Sequence, residues 1–372
     1  MSDSVAAAAV DLAFASAGDV DIGFFGGEPL IAWPRLVSIA EHARARAARE
    51  GRRLRLSVTT NATLLTRQRV RRLTEIDVEV HVSLDGDRAA HDATRPARGH
   101  RSSFERVLGG IEALRSYDQP LDLIAVVAPA NVRRLAASVG FLIEQGARSI
   151  TLNPAYECPW TEDDLAAWET GLEAVAQMYA GAMRLNMPIA MPTFDNKLFA
   201  AAKGGLCAGD GCDAGDGEIA VAPSGRLYPC ARLVGEDRDP SLAVGDVQHG
   251  VDLDCVRAIR SGAADPACEP CAERWRCTSA CMCANLAETG SPTLPGGVQC
   301  WHEQTTARIA DRVGAELLAE RCQTFLEWVY GPDARGIDPS RVDTARSFDA
   351  VADTGVRSVA RRRHLPIVKV TA

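Results

Sequence analysis

Residues 20–30 read VDIGFFGGEPL, and this stretch begins the pattern that decides the fold. Val20–Phe25 is a short apolar run of strand length, and glycines, a glutamate and a proline end it as a turn. The same change recurs along the chain at Leu54–Val58, Val78–Leu84, Leu121–Val127 and Ser149–Leu152. Helical patterns and short connections separate these runs. The sequence therefore predicts a parallel α/β sheet, either an open doubly wound sheet or a partial barrel.

Helices are predicted between the strands from apolar spacing and capping residues. In Pro34–Glu50, for example, Leu36, Ile39 and Ala43 recur at helical spacing. The other predicted helices are Val5–Ala17, one capped by Thr66 and ending near Leu73, one capped by Ser102 or Ser103 and ending near Ser116, Val132–Glu144, Ala166–Met183 and Thr305–Tyr330. Regularity fades between residues 203 and 300, where glycine, aspartate and cysteine dominate.

Polar turns follow all five predicted strands: GGEP at 26–29, TTN at 59–61, SLDG at 83–86, APAN at 128–131 and NPA at 153–155. In parallel α/β folds, ligands bind beyond the carboxyl ends of the strands. We therefore predict one shared site at one edge of the sheet. These residue types are also ordinary in loops, and that simpler interpretation stays open for any single turn.

Composition excludes several classes of protein. The chain has 372 residues, of which 47% are hydrophobic and 24% charged, as in ordinary globular proteins. Its formal net charge of -8 argues against general electrostatic binding of nucleic acid. The sequence has no apolar run long enough for a membrane span and no signal-peptide pattern at its N-terminus. We expect a cytoplasmic protein with neither nucleic-acid nor membrane partners.

Cysteine spacing is the strongest signal in the sequence. There are 12 cysteines, and none precedes Cys158. The pattern is Cys268-x2-Cys271-x5-Cys277-x3-Cys281, with Cys207, Cys212 and Cys230 upstream and Cys300 downstream. These eight thiols suffice for two sites of four thiolates each, and such soft ligands suit iron–sulfur clusters or zinc. Structural zinc is the simpler alternative.

This spacing resembles the SPASM domain, which follows the core of many radical S-adenosylmethionine (radical SAM) enzymes and carries two auxiliary 4Fe-4S clusters. The resemblance implies that one cluster uses Cys207, Cys212, Cys230 and Cys281, and the other Cys268, Cys271, Cys277 and Cys300. Cys283 is a rival to Cys300. Cys158, Cys255 and Cys322 are left over, and we expect them to be small buried apolar side chains.

The N-terminal half resembles the radical SAM barrel. Residues 24–30, FFGGEPL, are similar to the loop that holds the methionyl amine of S-adenosylmethionine in that family. The resemblance implies that Ser83 and Arg95 address the ribose or carboxylate of the cofactor, and that Asn61 and Asp85 shape the site. The full set of implied cofactor-binding residues is Gly26, Gly27, Glu28, Pro29, Asn61, Ser83, Asp85 and Arg95. The implied fold is an incomplete (β/α)6 barrel, then an irregular cysteine-rich domain with a C-terminal helix.

One departure from the family is chemical. The family places a Cys-x3-Cys-x2-Cys loop after its first strand, and its thiolates hold a third 4Fe-4S cluster that this chain does not ligate. The simplest account is a lost first strand, from a late start codon or a truncated or split gene. We expect the chain as written to be inactive alone, and the edge of Val20–Phe25 to be exposed unless covered.

A second departure concerns the catalytic acid or base. Sulfatase-maturing members of the family carry an aspartate directly after the second SPASM cysteine, whereas Ala231 follows Cys230 here. Asp195 and Asp210 lie nearby in sequence, and we interpret both as solvated loop carboxylates. No catalytic residue is therefore assigned.

The resemblance implies a peptide- or protein-modifying enzyme that begins with hydrogen abstraction by an adenosyl radical. Its substrate would be a ribosomally made peptide or protein, and its electron donor a flavodoxin or ferredoxin. The alternatives are an iron–sulfur electron-transfer or scaffold protein and a zinc-stabilised interaction protein. The predicted domains are residues 1–200, 203–330 and a tail over 331–372, and we expect the basic segment Arg357–Lys369 to be solvated or disordered.

Overall fold

The structure is a computed structural model that describes residues 1–16, 18–96, 102–206, 212–262, 265–278, 281–331 and 367–371. Its strands are β1 (Val20–Phe25), β2 (Leu54–Thr60), β3 (Val78–Ser83), β4 (Asp122–Val127), β5 (Ser149–Pro154), β6 (Glu218–Val221), β7 (Leu227–Tyr228), β8 (Gly245–Asp246), β9 (Gly250–Val251) and β10 (Ile367–Thr371). The five strands predicted in the first half are all present, with ends that differ by no more than a turn residue or two.

The helices alternate with β1–β5 and then predominate. They are α1 (Asp3–Ala15), α2 (Trp33–Glu50), α3 (Arg67–Glu75), α4 (Arg88–Thr94), α5 (Phe104–Arg115), α6 (Leu135–Glu144), α7 (Glu162–Arg184), α8 (Pro192–Ala202), α9 (Leu253–Arg260), α10 (Met282–Thr289), α11 (Gly297–Ala319) and α12 (Gln323–Tyr330). Local chemistry fixes several ends: Thr66 accepts the Arg69 N–H at the start of α3, and Gly51 ends α2 in a left-handed conformation.

The main sheet has the strand order β5-β4-β3-β2-β1-β10-β6-β7 within the described residues. All neighbouring pairs are parallel except β6 with β7, which form an antiparallel hairpin. The predicted parallel α/β sheet is therefore confirmed. Because β1–β5 point the same way, their carboxyl ends and the polar turns that follow them lie along one edge.

The expectation of an exposed β1 edge is wrong. β10 pairs in parallel with β1 over five residues, from Asp21 opposite Ile367 to Phe25 opposite Thr371. On its other side β10 pairs in parallel with β6, so one strand joins the two halves of the sheet. The tail was also expected to be solvated or disordered, which is wrong for residues 367–369 in β10. Residues 357–366 lie outside the described part.

The predicted helix over Thr305–Tyr330 is wrong in its continuity and its start. The chain forms α11 and α12 instead, and Arg321 between them has a φ of 54° that ends the first helix. The amphipathic pattern continues through the break because both helices bury an apolar face. Helices α4, α8, α9 and α10 were not predicted, since all four span eleven residues or fewer and give only a short periodic pattern.

The core extends from the sheet into the helices that precede and follow the cysteine-rich segment. Trp168 and Tyr179 of α7 and Phe194 of α8 are fully buried, and α7 and α8 pack against α11. This contact brings α11, which begins just before Cys300, against helices of the first half. Within the described residues, no helix is long and apolar enough to cross a membrane.

Candidate functional site

The turn after β1 has a backbone that favours glycine. Gly26 and Gly27 have φ values of 94° and 55°, a region that residues with side chains rarely enter. The space where a side chain on Gly27 would stand is open. Pro29 is buried and begins a short 3-10 helix, Pro29–Ala32. The turn therefore presents bare backbone at the carboxyl edge of the sheet, where a ligand can approach closely.

Glu28 joins the ends of β1 and β2. Its Oε1 accepts the backbone N–H of Leu30 at 3.0 Å and the hydroxyl of Thr60 at 2.7 Å. Its Oε2 accepts the backbone N–H of Asn61 at 2.8 Å. A carboxylate has roughly four acceptor positions, so these three bonds leave capacity for one further donor such as an ammonium group.

Asn61 shapes the loop after β2. Its Oδ1 accepts the backbone N–H of Thr63 at 3.0 Å and the Thr63 hydroxyl at 2.7 Å. The next residue, Ala62, has a φ of 57°, and its carbonyl lies where a side chain on Gly110 would clash at 2.4 Å. The loop therefore rests directly on α5, and Gly110 is the residue that permits this contact.

Asp85 is the most heavily bonded side chain at this edge. It is 2% exposed, and it accepts Nε and Nη2 of Arg95 at 2.8 and 3.0 Å. It also accepts the Thr94 hydroxyl at 2.5 Å and the backbone N–H of Val126 at 2.8 Å. This carboxylate fixes the loop after β3 to β4 and holds the Arg95 guanidinium in a bidentate pair.

Ser83 and His91 lie on the elements that flank the loop after β3. Ser83 is the last residue of β3, is half-buried and pairs in register with Ile124 of β4. His91, in α4, is buried and contacts the Ser103 hydroxyl through Nε2 at 2.9 Å. Burial lowers the pKa of His91 below its usual value, so this neutral ring packs α4 against the start of α5.

The first group of cysteines lies in mutual contact. The thiols of Cys281 and Cys283 are 3.4 Å apart, Cys212 is hydrogen-bonded to Cys281, and Cys230 to Cys283. Cys281 is the N-cap residue of α10, and Cys230 lies two residues after the end of β7. Cys207, the other residue implied for this group, lies outside the described residues.

The sulfur of Cys281 accepts hydrogen bonds from two thiols and one backbone N–H. Hydrogen bonds from the thiols of Cys212 and Cys283 lower the pKa of Cys281 below its usual value, and the N–H of Ala284 in the first turn of α10 contributes. The same contacts raise the pKa of Cys212 and Cys283, which act as donors to this thiolate. Because like charges in contact oppose each other's ionisation, these thiols can all become thiolates only around a positively charged centre.

The second group contains Cys268, Cys271, Cys277 and Cys300. The backbone N–H of Cys271 donates to the Cys268 carbonyl at 3.3 Å, which places both residues in one turn. Burial raises the pKa of Cys300 to about 11, and the negative charges of nearby Cys268 and Cys277 add to this increase. The structure thus brings the thiol of Cys300 near this group, and that of Cys283 near the other group.

A buried ion pair holds the second group against the helices. Nζ of Lys197 lies 2.5 Å from Oε2 of Glu303, and both side chains are nearly fully buried. Glu303 also accepts the backbone N–H and the hydroxyl of Thr278, each at 2.7 Å, directly after Cys277. This ion pair was not predicted from the sequence. Its only signal was that Lys197 is one of three lysines in a chain otherwise rich in arginine.

A second link missed from the sequence joins β5 to α11. The Tyr156 hydroxyl, two residues beyond β5, lies 2.9 Å from Nδ1 of His302. His302 stacks on Trp168 with ring centres 4.7 Å apart, and burial lowers the pKa of this histidine to about 4. The neutral ring therefore fastens the segment after Cys300 to the carboxyl edge of the sheet.

The interpretation of Asp195 as a solvated loop carboxylate is wrong. It lies in α8, is 4% exposed, and accepts the Tyr179 hydroxyl at 2.8 Å and the Trp328 indole N–H at 2.9 Å. Asp210 lies outside the described residues. The leftover cysteines are not the buried apolar side chains expected: Cys255 is exposed, and Cys158 and Cys322 are half-buried.

The chemistry of the donor set fits an iron–sulfur centre. The sulfurs are soft donors, half-buried or buried, and the contacts around Cys281 need a positively charged centre for full ionisation. Within the described ranges, no three His, Cys, Asp or Glu side chains converge on one point as ligands of a single metal ion. An iron–sulfur cluster distributes its thiolate ligands over more than one iron.

Comparison with known proteins agrees with this architecture. Residues 2–142 match the model of the radical SAM superfamily. The chain is 23% identical over 303 residues to a serine-type anaerobic sulfatase-maturating enzyme of Klebsiella aerogenes, a match that covers 76% of this chain and 71% of the relative. It is 28% identical over 145 residues to an uncharacterized protein of Methanocaldococcus jannaschii, covering 39% of this chain. The chain spans about half the length of that relative.

Solved structures share the fold. The structure of anSMEcpe with bound AdoMet superposes with a TM-score of 0.71 and 17% identity, over 88% of this chain and 90% of that chain. The same enzyme with bound AdoMet and Kp18Cys peptide gives a TM-score of 0.69 and 15% identity, over 87% and 91% of the two chains. Of the two predicted sheet architectures, the partial barrel followed by a cysteine-rich domain is confirmed.

Proposed function

Because this chain carries a radical SAM domain, we propose that it is a peptide- or protein-modifying enzyme of the SPASM type. The observation that carries the proposal is the contact between the parallel sheet and the helix that follows the cysteine-rich segment. The polar edge of the parallel sheet, with Glu28 and Asp85, lies in one structure with two groups of cysteine thiols, and the Tyr156–His302 contact joins them. A peptide substrate is supported by the resemblance to the sulfatase-maturating enzyme and to a structure solved with a bound peptide.

Binding of S-adenosylmethionine is proposed at the carboxyl edge of β1–β4. The open backbone of Gly26 and Gly27 admits the methionyl group, and the remaining acceptor capacity of Glu28 suits its ammonium. Asp85 holds the Arg95 guanidinium in place, and this guanidinium is proposed to bind a carboxylate or ribose oxygen of the cofactor. Pro29, Asn61 and Ser83 complete the proposed set by fixing the loops that carry these groups.

The auxiliary centres are proposed in the cysteine-rich half. By resemblance, one 4Fe-4S cluster takes Cys207, Cys212, Cys230 and Cys281, and the other takes Cys268, Cys271, Cys277 and Cys300. Such centres supply electron transfer or hold a peptide substrate when bound. A flavodoxin or ferredoxin is proposed as the electron donor. The proposed domain limits remain residues 1–200 and 203–330.

We further propose that the chain as given does not cleave S-adenosylmethionine by itself. The thiolates that would hold the third cluster of the family are not in this sequence, since no cysteine precedes Cys158. Without that cluster no electron reaches the sulfonium of the cofactor. A chain that carries the missing cysteine loop, in cis or in trans, would restore the reaction.

The test measures 5′-deoxyadenosine and methionine formed by the anaerobically reconstituted and reduced chain. We expect no product from the chain alone at any time point. Turnover by the chain alone would contradict the proposed inactivity. Failure to bind iron at all would contradict the proposed enzyme class.

A second candidate function rests on the two cysteine groups alone. A protein with both auxiliary clusters and no radical chemistry would transfer electrons or act as a scaffold. The two cysteine groups support both candidates equally well, because their thiols do not depend on the proposed S-adenosylmethionine site. Loss of peptide modification in cells, when the Arg95→Ala variant replaces the parent, would favour the enzyme; unchanged modification would favour the electron-transfer protein.

A zinc-stabilised interaction protein is distinguished from both by its metal content.

A further inference from the structure

β10 is the last of the described strands in chain order, yet it lies in the middle of the sheet. It runs parallel to β1 on one side and to β6 on the other, with Ile367 opposite both Asp21 and Glu218. Neighbouring strands lie about 4.8 Å apart, so β1 and β6 are separated by a space that one strand fills. Phe25, at the end of β1, also packs against the apolar cluster that includes Ala220 of β6. This contact joins the two strands that flank β10 and fixes the width of its position.

The helix α1 forms a strand–helix–strand unit with β10 and β1. It contacts both strands, and it ends at Ala15, shortly before β1 begins at Val20. Its first turns lie at the carboxyl edge of the sheet, where Val5 comes within 3.4 Å of the position of a β-carbon on Gly225, in the turn between β6 and β7. In parallel sheets a helix of this kind connects two neighbouring strands. β10 therefore holds the position that the strand before the helix has in such a unit.

The carboxyl end of β10 lies at the edge where S-adenosylmethionine is proposed to bind. Thr371 pairs in register with Phe25, which directly precedes the glycine-rich turn of residues 26–28. A residue that continued the strand beyond Thr371 would lie opposite this turn, at a distance of about 5 Å. β10 also contacts the 3-10 helix Ala231–Leu233, which follows Cys230 of the first cysteine group. The strand thus ends between the proposed cofactor edge and one proposed auxiliary centre.

We propose that β10 serves as the first strand of the radical SAM barrel, and that the thiolates of the cluster that binds S-adenosylmethionine enter from a segment joined to the carboxyl end of β10. In the family a Cys-x3-Cys-x2-Cys loop directly follows the first strand, whereas no cysteine precedes Cys158 here. The strand position that such a loop requires is nevertheless present and filled. The inference rests on the proposed function, and it names the point on this chain where the missing ligands attach. Cluster binding converts the three thiols of the loop to thiolates and releases their protons.

The role of β10 in the sheet is tested on the full chain by hydrogen exchange of backbone amides. The parent is compared with Val368→Pro, and Val368→Ile is the matched control, all at low protein concentration so that aggregation does not protect amides. We expect exchange in β1 and β6 to be about tenfold faster in Val368→Pro, and exchange in β4, which does not pair with β10, to be unchanged. Unprotected amides in β10 of the parent, or unchanged exchange in β1 of Val368→Pro, would overturn the inference.

The point of attachment is tested by extending the full chain after Ala372 with a Cys-x3-Cys-x2-Cys loop. The matched control carries the same extension with serine in place of each cysteine, and a third protein combines the cysteine extension with Val368→Pro. Iron per chain is measured after anaerobic reconstitution, together with electron paramagnetic resonance spectra of the reduced protein with and without S-adenosylmethionine. We expect about four more irons than in the serine control, and a spectrum that changes when S-adenosylmethionine is added. Val368→Pro should abolish that change.

The spectra separate a cluster placed by β10 from iron held by a free tail. No additional iron, a spectrum unaffected by S-adenosylmethionine, or the same response in the protein with Val368→Pro would each overturn the inference. The proposed function would stand in these cases, provided that the parent chain binds iron through its own cysteines. A parent chain that binds no iron would overturn the proposed function and the inference together.

Discussion

The Glu28 carboxylate accepts the backbone N–H of Asn61 at 2.8 Å, and so ties the turn after β1 to the turn after β2. The same carboxylate accepts the hydroxyl of Thr60, the last residue of β2. The glutamate of the glycine-rich turn therefore has a structural role as well as the one that its resemblance implies. It aligns two loops at the edge where the cofactor is proposed to bind.

Glu28→Ala is expected to destabilise the chain. The change leaves the donors of Leu30, Thr60 and Asn61 without their carboxylate partner, which costs about 1–3 kcal/mol when such groups are shielded from water. The measurement is the free energy of unfolding in urea. Glu112→Ala on the exposed side of α5 serves as the control, with an expected change below about 0.5 kcal/mol. Equal stability of the two variants would show that Glu28 does not organise the loops.

Lys197→Met is expected to lower the free energy of unfolding more than a comparable change at the surface. It leaves the buried Glu303 carboxylate without its cation, which costs about 3–5 kcal/mol. Adding Glu303→Gln removes the buried charge while the amide oxygen can still accept from Thr278, so the double variant should recover most of the loss. The control is Arg308→Met, which breaks surface pairs with Glu169 and Glu173, each worth less than about 1 kcal/mol.

The readout for these variants is urea unfolding, with iron content measured in parallel. Because Thr278 directly follows Cys277, Lys197→Met should also lower the iron held by the second cysteine group. A double variant as unstable as Lys197→Met would refute the role of the buried charge.

Much of this site was visible in the sequence because its residues follow strands. The turns that contain Glu28, Asn61 and Asp85 were predicted to share an edge from the alternation of apolar strands and polar turns alone. The bonds among them were not predictable, since each joins residues far apart in the sequence, as Asp85 does with Val126. Tertiary contacts of that kind leave no periodic pattern.

Asp195 is expected to make the stability of the chain depend on pH. Burial raises the pKa of Asp195 to about 6, although hydrogen bonds from Trp328 and Tyr179 partly oppose the increase. Between about pH 4 and pH 6 the folded chain therefore binds more protons than the unfolded chain. The contribution of this group to the free energy of unfolding falls as pH rises through that window, by at most about 1.4 kcal/mol per pH unit.

The measurement compares the parent with Asp195→Asn by urea unfolding at several values between pH 4 and pH 7. The parent should lose stability relative to the variant as pH rises to about 6, and the difference should then stay constant. Both proteins retain the same cysteines, so acid loss of bound metal affects them alike. Asp118→Asn, at an exposed turn, is the control and should run parallel to the parent. A parallel course for Asp195→Asn would contradict the prediction.

Val368→Pro is expected to release β10 from the sheet. Val368 lies opposite Ile22 of β1 and Ile219 of β6, so proline removes a donor from the middle of a central strand. The edges of β1 and β6 would then be open to pairing with other molecules. We expect concentration-dependent aggregation in light scattering. Val368→Ile keeps the backbone donor and should remain monodisperse to the same degree as the parent; aggregation of both variants alike would contradict the account.

The position of β10 shows where sequence reasoning failed. Residues 365–370, LPIVKV, have the composition of a strand, but nothing in that short segment specifies a partner hundreds of residues away. The partners are set by the tertiary fold. The edges of β1 and β6 face each other, and β10 lies between them and pairs with both. Cys283 is a similar case, since its spacing from Cys281 gave no indication that its thiol touches Cys230.

The central claim is that the thiols of the cysteine-rich half hold iron–sulfur clusters. The most direct measurement is the metal and acid-labile sulfide content of the full chain purified without exposure to oxygen. We predict a brown protein with iron and sulfide in similar amounts and little zinc. A colourless protein that contains zinc, or one whose cysteines are joined in disulfides, would contradict the account.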